Sequence, residues 1–176
     1  MFAAFERELN IHRDSGYHRL GGLLQRGDVD AGFRERALTP PAAYLDFLCM
    51  VGPGVFFGGA LTIYPLSSDR WRSVESELAR LRKVSTEAIF PFGYDGTTES
   101  RRCFEATSGK DQVYWFSWEE KAKRSFSAGF REWIEECYAF DPFNVPFTSI
   151  EVKFNPVIDL GSKMRARFKE LSDLLA

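Results

Sequence analysis

The sequence is poor in the residues that most catalytic and metal chemistry uses. It holds two histidines, His12 and His18, and three cysteines, Cys49, Cys103 and Cys137, in 176 residues. An odd cysteine count without a CxxC spacing supplies neither a disulfide framework nor a zinc-ligand pattern. In a reducing compartment these cysteines read as small apolar side chains of the interior. The histidines lack the i, i+4 spacing of helical ligands and read as surface residues. There is no GxSxG elbow and no GxxxxGK[ST] phosphate loop. Gly52-Pro-Gly-Val-Phe-Phe-Gly58 has the spacing GxGxxxG, and it follows a predicted helix rather than a strand. That is the reverse of the dinucleotide-loop order, so it reads as a glycine-rich helix exit. No apolar run approaches the ~20 residues of a membrane span. The opening Met-Phe-Ala-Ala-Phe-Glu-Arg-Glu has no signal-peptide core. A net charge of −2 lacks the dense basic face of a nucleic-acid binder. The expectation is a cytoplasmic protein with no cofactor, no metal, no membrane and no nucleic-acid partner.

What is abundant is aromatic. Seventeen phenylalanines, with 44% hydrophobic and 27% charged residues, fit one soluble globular domain with an aromatic core. The periodicity predicts an α+β fold whose centre is Ile89–Trp118. Ile89 to Tyr94, Arg101 to Ala106 and Gln112 to Trp118 read as three antiparallel strands. Asp95-Gly96-Thr97-Thr98 and Thr107-Ser108-Gly109-Lys110-Asp111 are the turns between them. The third strand is apolar on both faces, which marks it as the central one.

Helices are expected to cover this meander. Phe2, Phe5 and Leu9 form one short stripe. Residues 10–32, punctuated by five glycines, read as loop with at most one helical turn. Thr39-Pro40-Pro41 reads as an N-cap and first turn for a helix over 41–51, stopped by Gly52-Pro53. Ala60 to Tyr64 is a predicted strand. Ser67-Ser68-Asp69 is a predicted start for a helix over 69–83 with Trp71, Val74, Leu78 and Leu81 buried. Glu119 to Arg124 reads as a solvated connection, and Ser125 as the cap of a helix carrying Phe126, Phe130, Trp133, Ile134, Cys137 and Tyr138. Ile150, Val152 and Phe154 suggest an edge strand, and Ser162 a last helix. Residues 1–37 read as an N-terminal extension of the same globule, and 38–176 as the domain itself.

Catalytic alternatives are few. Asp95-Gly-Thr-Thr-Glu99 lacks the alternating carboxylates of a calcium loop and is better read as a turn. Glu99, Asp111, Glu119 and Glu120 could converge, which leaves a small hydrolase using Glu99 and Asp111 as a minor reading.

Several motifs, in order, resemble one family. Thr39-Pro-Pro-Ala-Ala-Tyr-Leu-Asp-Phe-Leu-Cys-Met-Val-Gly52 is similar to an "LPxxYxxFLxxxGG" helix, through Pro41, Tyr44, Phe47, Leu48 and Gly52. Pro53 stands at the usual second glycine. Leu61-Thr-Ile-Tyr-Pro-Leu66 resembles the family's "xxlypl" strand, and Phe92-Gly-Tyr-Asp-Gly96 its "fGxdG" turn. Val113-Tyr-Trp-Phe116 resembles the strand that follows, and Phe126, Trp133 and Ile134 its "sFxeWi" helix. Over residues 38–138 the chain thus resembles the SUKH superfamily, in the branch of the fungal cell-wall-synthesis regulator and many bacterial immunity proteins. The resemblance implies an α+β domain with a mostly antiparallel sheet, flanking helices and a groove for a protein partner.

It also implies a non-enzymatic binding role, with a polymorphic-toxin domain as partner. The alternative is an intracellular regulatory or scaffolding protein. The expected contact residues are Phe56, Phe57, Tyr94, Asp95, Thr97, Thr98, Glu99, Trp118, Glu119 and Glu120. They come from the glycine turn and the ends of the meander, as aromatic anchors with an acidic or polar rim. The acidic members would suit a basic, nuclease-type toxin.

Overall fold

Among the described residues, seven short strands pair in chain order into one antiparallel sheet, β1-β2-β3-β4-β5-β6-β7. They are β1 (Arg19–Leu20), β2 (Gly54–Phe56), β3 (Leu61–Ile63), β4 (Ile89–Asp95), β5 (Ser100–Glu105), β6 (Tyr114–Ser117) and β7 (Ala122–Ser125). Five described helices accompany them: α1 (Ala3–Ile11), α2 (Arg26–Glu35), α3 (Ala42–Met50), α4 (Val74–Leu81) and α5 (Phe130–Tyr138). The computed structural model describes residues 2–11, 18–56, 59, 61–68, 72–96, 100–125 and 129–138. The architecture is a single-domain α+β arrangement, as the periodicity predicts. The strand expected at 150–154 and the helix expected from Ser162 lie outside the described residues.

The inner face of the sheet is packed by aromatic rings. Phe92 of β4 stacks on Phe104 of β5 with ring centres 4.0 Å apart. Phe90 and Phe92 share this face by ordinary alternation, and the register shift between Pro91 and Gly93 then turns Tyr94 to the opposite face and Asp95 inward to Arg102. Tyr44 of α3 meets Phe92, Phe104 and Phe130 edge-on or tilted, at 5.3–5.5 Å. Phe33 of α2 packs on Tyr44 and Phe90. Phe2, at the start of α1, and Phe5 within it close on Phe47. Such pairs add directional attraction to the burial of large apolar surfaces. Four helices thus pack on one face, and α4 packs against β4 on the other.

Several sequence expectations need correction. The central strand is β4, whose residues are buried except Tyr94. The 112–118 segment, expected there, is the penultimate strand and is only partly buried. Phe116 is buried, whereas Tyr114 and Trp115 are half-buried beneath Lys123 and Arg124 of β7. Residues 10–32 contain β1 and most of α2 rather than loop alone. Only Val29 and Phe33, one turn apart, are buried on α2, too few to give a visible stripe among its glycines. An Arg26–Asp30 pair on its exposed side adds i, i+4 support. Thr39 does not cap α3; Pro41 holds that position. The Thr39 backbone instead bonds Ala106 and Gly109, tying the approach to α3 to the end of β5. Gly54–Phe56 is a strand, not a lead-in to one. Helix α4 begins at Val74, where Ser73 and Ser76 form a reciprocal capping box. Glu119–Arg124 is a hairpin turn and the start of β7, and Ser125 ends that strand instead of capping a helix.

Other expectations hold. Helix α3 covers the predicted span and stops at Gly52, which has φ +90 and donates its N–H to Phe47 O. Strands β3, β4 and β5 occur where the periodicity places them.

Candidate functional site

A single register row crosses the outer face of the sheet. Arg19, Val55, Thr62, Tyr94, Arg101, Phe116 and Lys123 are successive Cα partners, one from each strand. Alternation of side chains puts them on one face. Helix α4 covers the half of this row nearest β5 and β6. There Glu77 is 2% exposed and receives hydrogen bonds from Arg101 Nε at 2.8 Å and Arg80 Nη1 at 2.7 Å. Burial pushes the Glu77 carboxyl up, but the bonds and charges of Arg101 and Arg80 more than offset that. The group is held below the usual carboxylate range.

The other half of the row is open. A groove of about 310 Å³ lies over Val55, Thr62 and Tyr94. Tyr64 and Pro65 form part of its lining, with the exposed Arg19 and Arg72. Burial, with the nearby Glu77 charge, pushes the Tyr64 phenol up, against the opposing pull of Arg101 and Arg72. Tyr64 therefore stays a neutral hydroxyl at physiological pH. Arg72 stands 3.9 Å from Glu77 Oε1, farther than the two arginines that already hold that carboxylate.

The expected contact residues divide sharply by place. Tyr94 is half-buried and lines the groove. Trp118 is half-buried on the same outer face, edge-on to Phe116 at 5.3 Å. The Arg101 guanidinium lies between their rings, 5.7 Å from Tyr94 and 4.9 Å from Trp118. The structure therefore brings Tyr94 and Trp118 together through an arginine that was not among the expected contact residues. Phe56 belongs to the core: it is fully buried against Phe5 and Phe47 and offers no surface to a partner. Asp95 is also interior, paired with Arg102, and does not contribute to an acidic rim. Glu119 and Glu120 are exposed at the β6–β7 turn, where Glu120 pairs with Arg124. Phe57, Thr97, Thr98 and Glu99 lie outside the described residues.

No protein-family model, curated protein or solved structure matches this chain. The site therefore has to be judged on its own geometry. Among the described residues, no group of three or more His, Cys, Asp or Glu side chains could hold a metal ion. No helix among them is long and apolar enough to cross a membrane. Cys103 is fully enclosed and burial pushes its thiol up, so it is not a thiolate nucleophile. Asp111, the described half of the hydrolase pair, accepts the Phe130 N–H at 2.7 Å and anchors the start of α5.

Arg19, Thr62, Tyr64 and Arg72 were not foreseen as site residues. The alternation in Leu61-Thr62-Ile63 was enough to place Thr62 opposite the buried pair. Arg19 carried no signal, because a two-residue strand has no periodicity to read.

Proposed function

We propose that this chain is a non-enzymatic protein-binding domain, acting as an immunity protein that neutralises a toxin domain by covering it. The observation that carries the reading is the open half of the outer sheet face. It presents a groove with an aromatic, aliphatic and hydroxyl floor beside Arg101, which Glu77 holds over the sheet. A preformed hollow with few converging polar groups suits surface recognition, and an anchored aromatic such as Tyr94 suits a binding hot spot. The motif resemblance to the SUKH superfamily supports the same reading, since Tyr94 falls within its "fGxdG" turn.

The test is affinity capture of partners from the native cell with the wild-type chain and with Tyr94→Ala. Capture should fall at least about tenfold for Tyr94→Ala, on the scale of a hot-spot truncation, while the melting curve is retained. Coexpression with a toxin domain encoded beside it should restore growth. A captured partner that is not a toxin would point to a regulatory or scaffolding role. Failure to capture any protein would remove the reading.

A further inference from the structure

We propose that the groove between Arg19 and Arg72 seats an acidic segment of the protein partner. Its carboxylates would meet the two guanidinium groups, and its apolar side chains would lie on Val55, Thr62 and Tyr94. This rests on the protein-binding reading above and adds the chemistry of the partner. It reverses the charge expected from the sequence, which placed an acidic rim on this chain against a basic toxin.

The argument is one of charge complementarity. Arg19 is exposed and makes no ion pair among the described residues. Arg72 is exposed, and its carboxylate neighbour Glu77 is already held more closely by Arg80 and Arg101. The guanidinium groups of Arg19, Arg72, Arg80 and Arg101 thus border this face, with Glu77 as the buried carboxylate among them. The two expected acidic contacts that the structure can place against a charge are already engaged: Asp95 inside with Arg102, Glu120 with Arg124. An arginine fork with unused donors matches a carboxylate in a bidentate manner. A groove floored by a valine, a threonine and a tyrosine suits peptide side chains. A nucleic acid is disfavoured, because the cations converge on one hollow and the chain as a whole is at −2.

The experiment uses the full chain, isotopically labelled, with three probes: a decamer alternating Glu and Leu, one alternating Lys and Leu, and decauridylate. The acidic decamer should shift the amides of Arg19, Val55, Thr62 and Tyr94. Its affinity should fall about tenfold between about 50 and 300 mM salt, as screening grows. It should fall at least about tenfold in Arg19→Gln/Arg72→Gln, whose exposed positions leave the melting curve unchanged. Equal binding of the basic decamer, tighter binding of decauridylate, or indifference to the double substitution would each overturn the inference. A natural partner that still binds the double variant also overturns it, and leaves the protein-binding reading intact. If no protein is captured while the two arginines still hold the acidic decamer, the cellular reading falls and the anionic preference stands.

Discussion

Arg101 of β5 reaches across to α4 and donates its Nε–H to Glu77 Oε2 at 2.8 Å, with both side chains largely withdrawn from solvent. The helix is thereby fixed at one register over the sheet, and the arginine is held between the Tyr94 and Trp118 rings. Removing one partner of such a pair strands the other charge. Glu77→Ala should therefore cost about 3 kcal/mol in urea unfolding, and Glu77→Gln less. An effect under about 1 kcal/mol for Glu77→Ala would show that the pair contributes little.

The same carboxylate sets a pH dependence. Its folded pKa lies below the ordinary 4.5, so its contribution is fully present above that value. It is lost as the pH falls from there through the folded pKa. Stability should decline on going from pH 5 to about pH 3. Glu77→Gln should flatten that part of the profile relative to wild type. The check is a series of urea melts of both proteins across this range.

Asp95 and Arg102 form the interior counterpart, with side chains 2% and 4% exposed and the arginine over the Trp133 ring. Asp95→Ala should destabilise by about 3 kcal/mol because it leaves a buried guanidinium. Asp95→Leu/Arg102→Met should recover much of that loss. Chemical denaturation of the three proteins would decide it; equal loss in the single and double variants would contradict the account.

Gly52 combines φ +90 with a close backbone neighbour. A Cβ there would stand 2.4 Å from the Gly22 carbonyl oxygen. Gly52→Ala should cost about 2 kcal/mol or more, from the left-handed conformation and the clash together. Thermal melting gives the readout. Gly27→Ala, with open space around its Cβ and a helical setting, should be neutral or mildly stabilising.

Asp111 tests the link between the β5–β6 loop and α5. Its Oδ1 accepts the Phe130 N–H, a helix N-terminal donor that would otherwise lack a partner. Asp111→Ala should cost about 1 kcal/mol and raise amide exchange at the start of α5, with no change in partner affinity.

How far these features could be read from the chain depends on how many residues each one engages. Helix α3 was legible because Tyr44, Leu45, Phe47 and Leu48 are all buried between a proline entry and a glycine exit. Strands β4 and β5 were legible because turns flank them. Helix α2 was not, since its packing rests on Val29 and Phe33 alone. The charged run before Ser125 looked like a connection because β7 is an edge strand among the described residues, with none of its residues fully buried. At the site, Tyr94 was legible as an aromatic beside a turn. Asp95 and Phe56 were misplaced because a sequence does not say on which side of the sheet a residue falls. That depended on the irregularity at Pro91–Gly93 and on the unforeseen strand β2.

Because strand order in space equals strand order along the chain, each new strand can join an edge that already exists as the chain leaves the ribosome. The sheet can thus grow vectorially, by local closures, without waiting for a distant partner. The aromatic cluster cannot be finished that way. Phe130 touches Phe2, Tyr44, Phe47, Phe92 and Phe104, so the last described helix seals rings contributed from the first residues onward. A nascent chain paused before Phe130 would carry all seven described strands with an unsealed aromatic face, the state in which chaperone engagement would matter most.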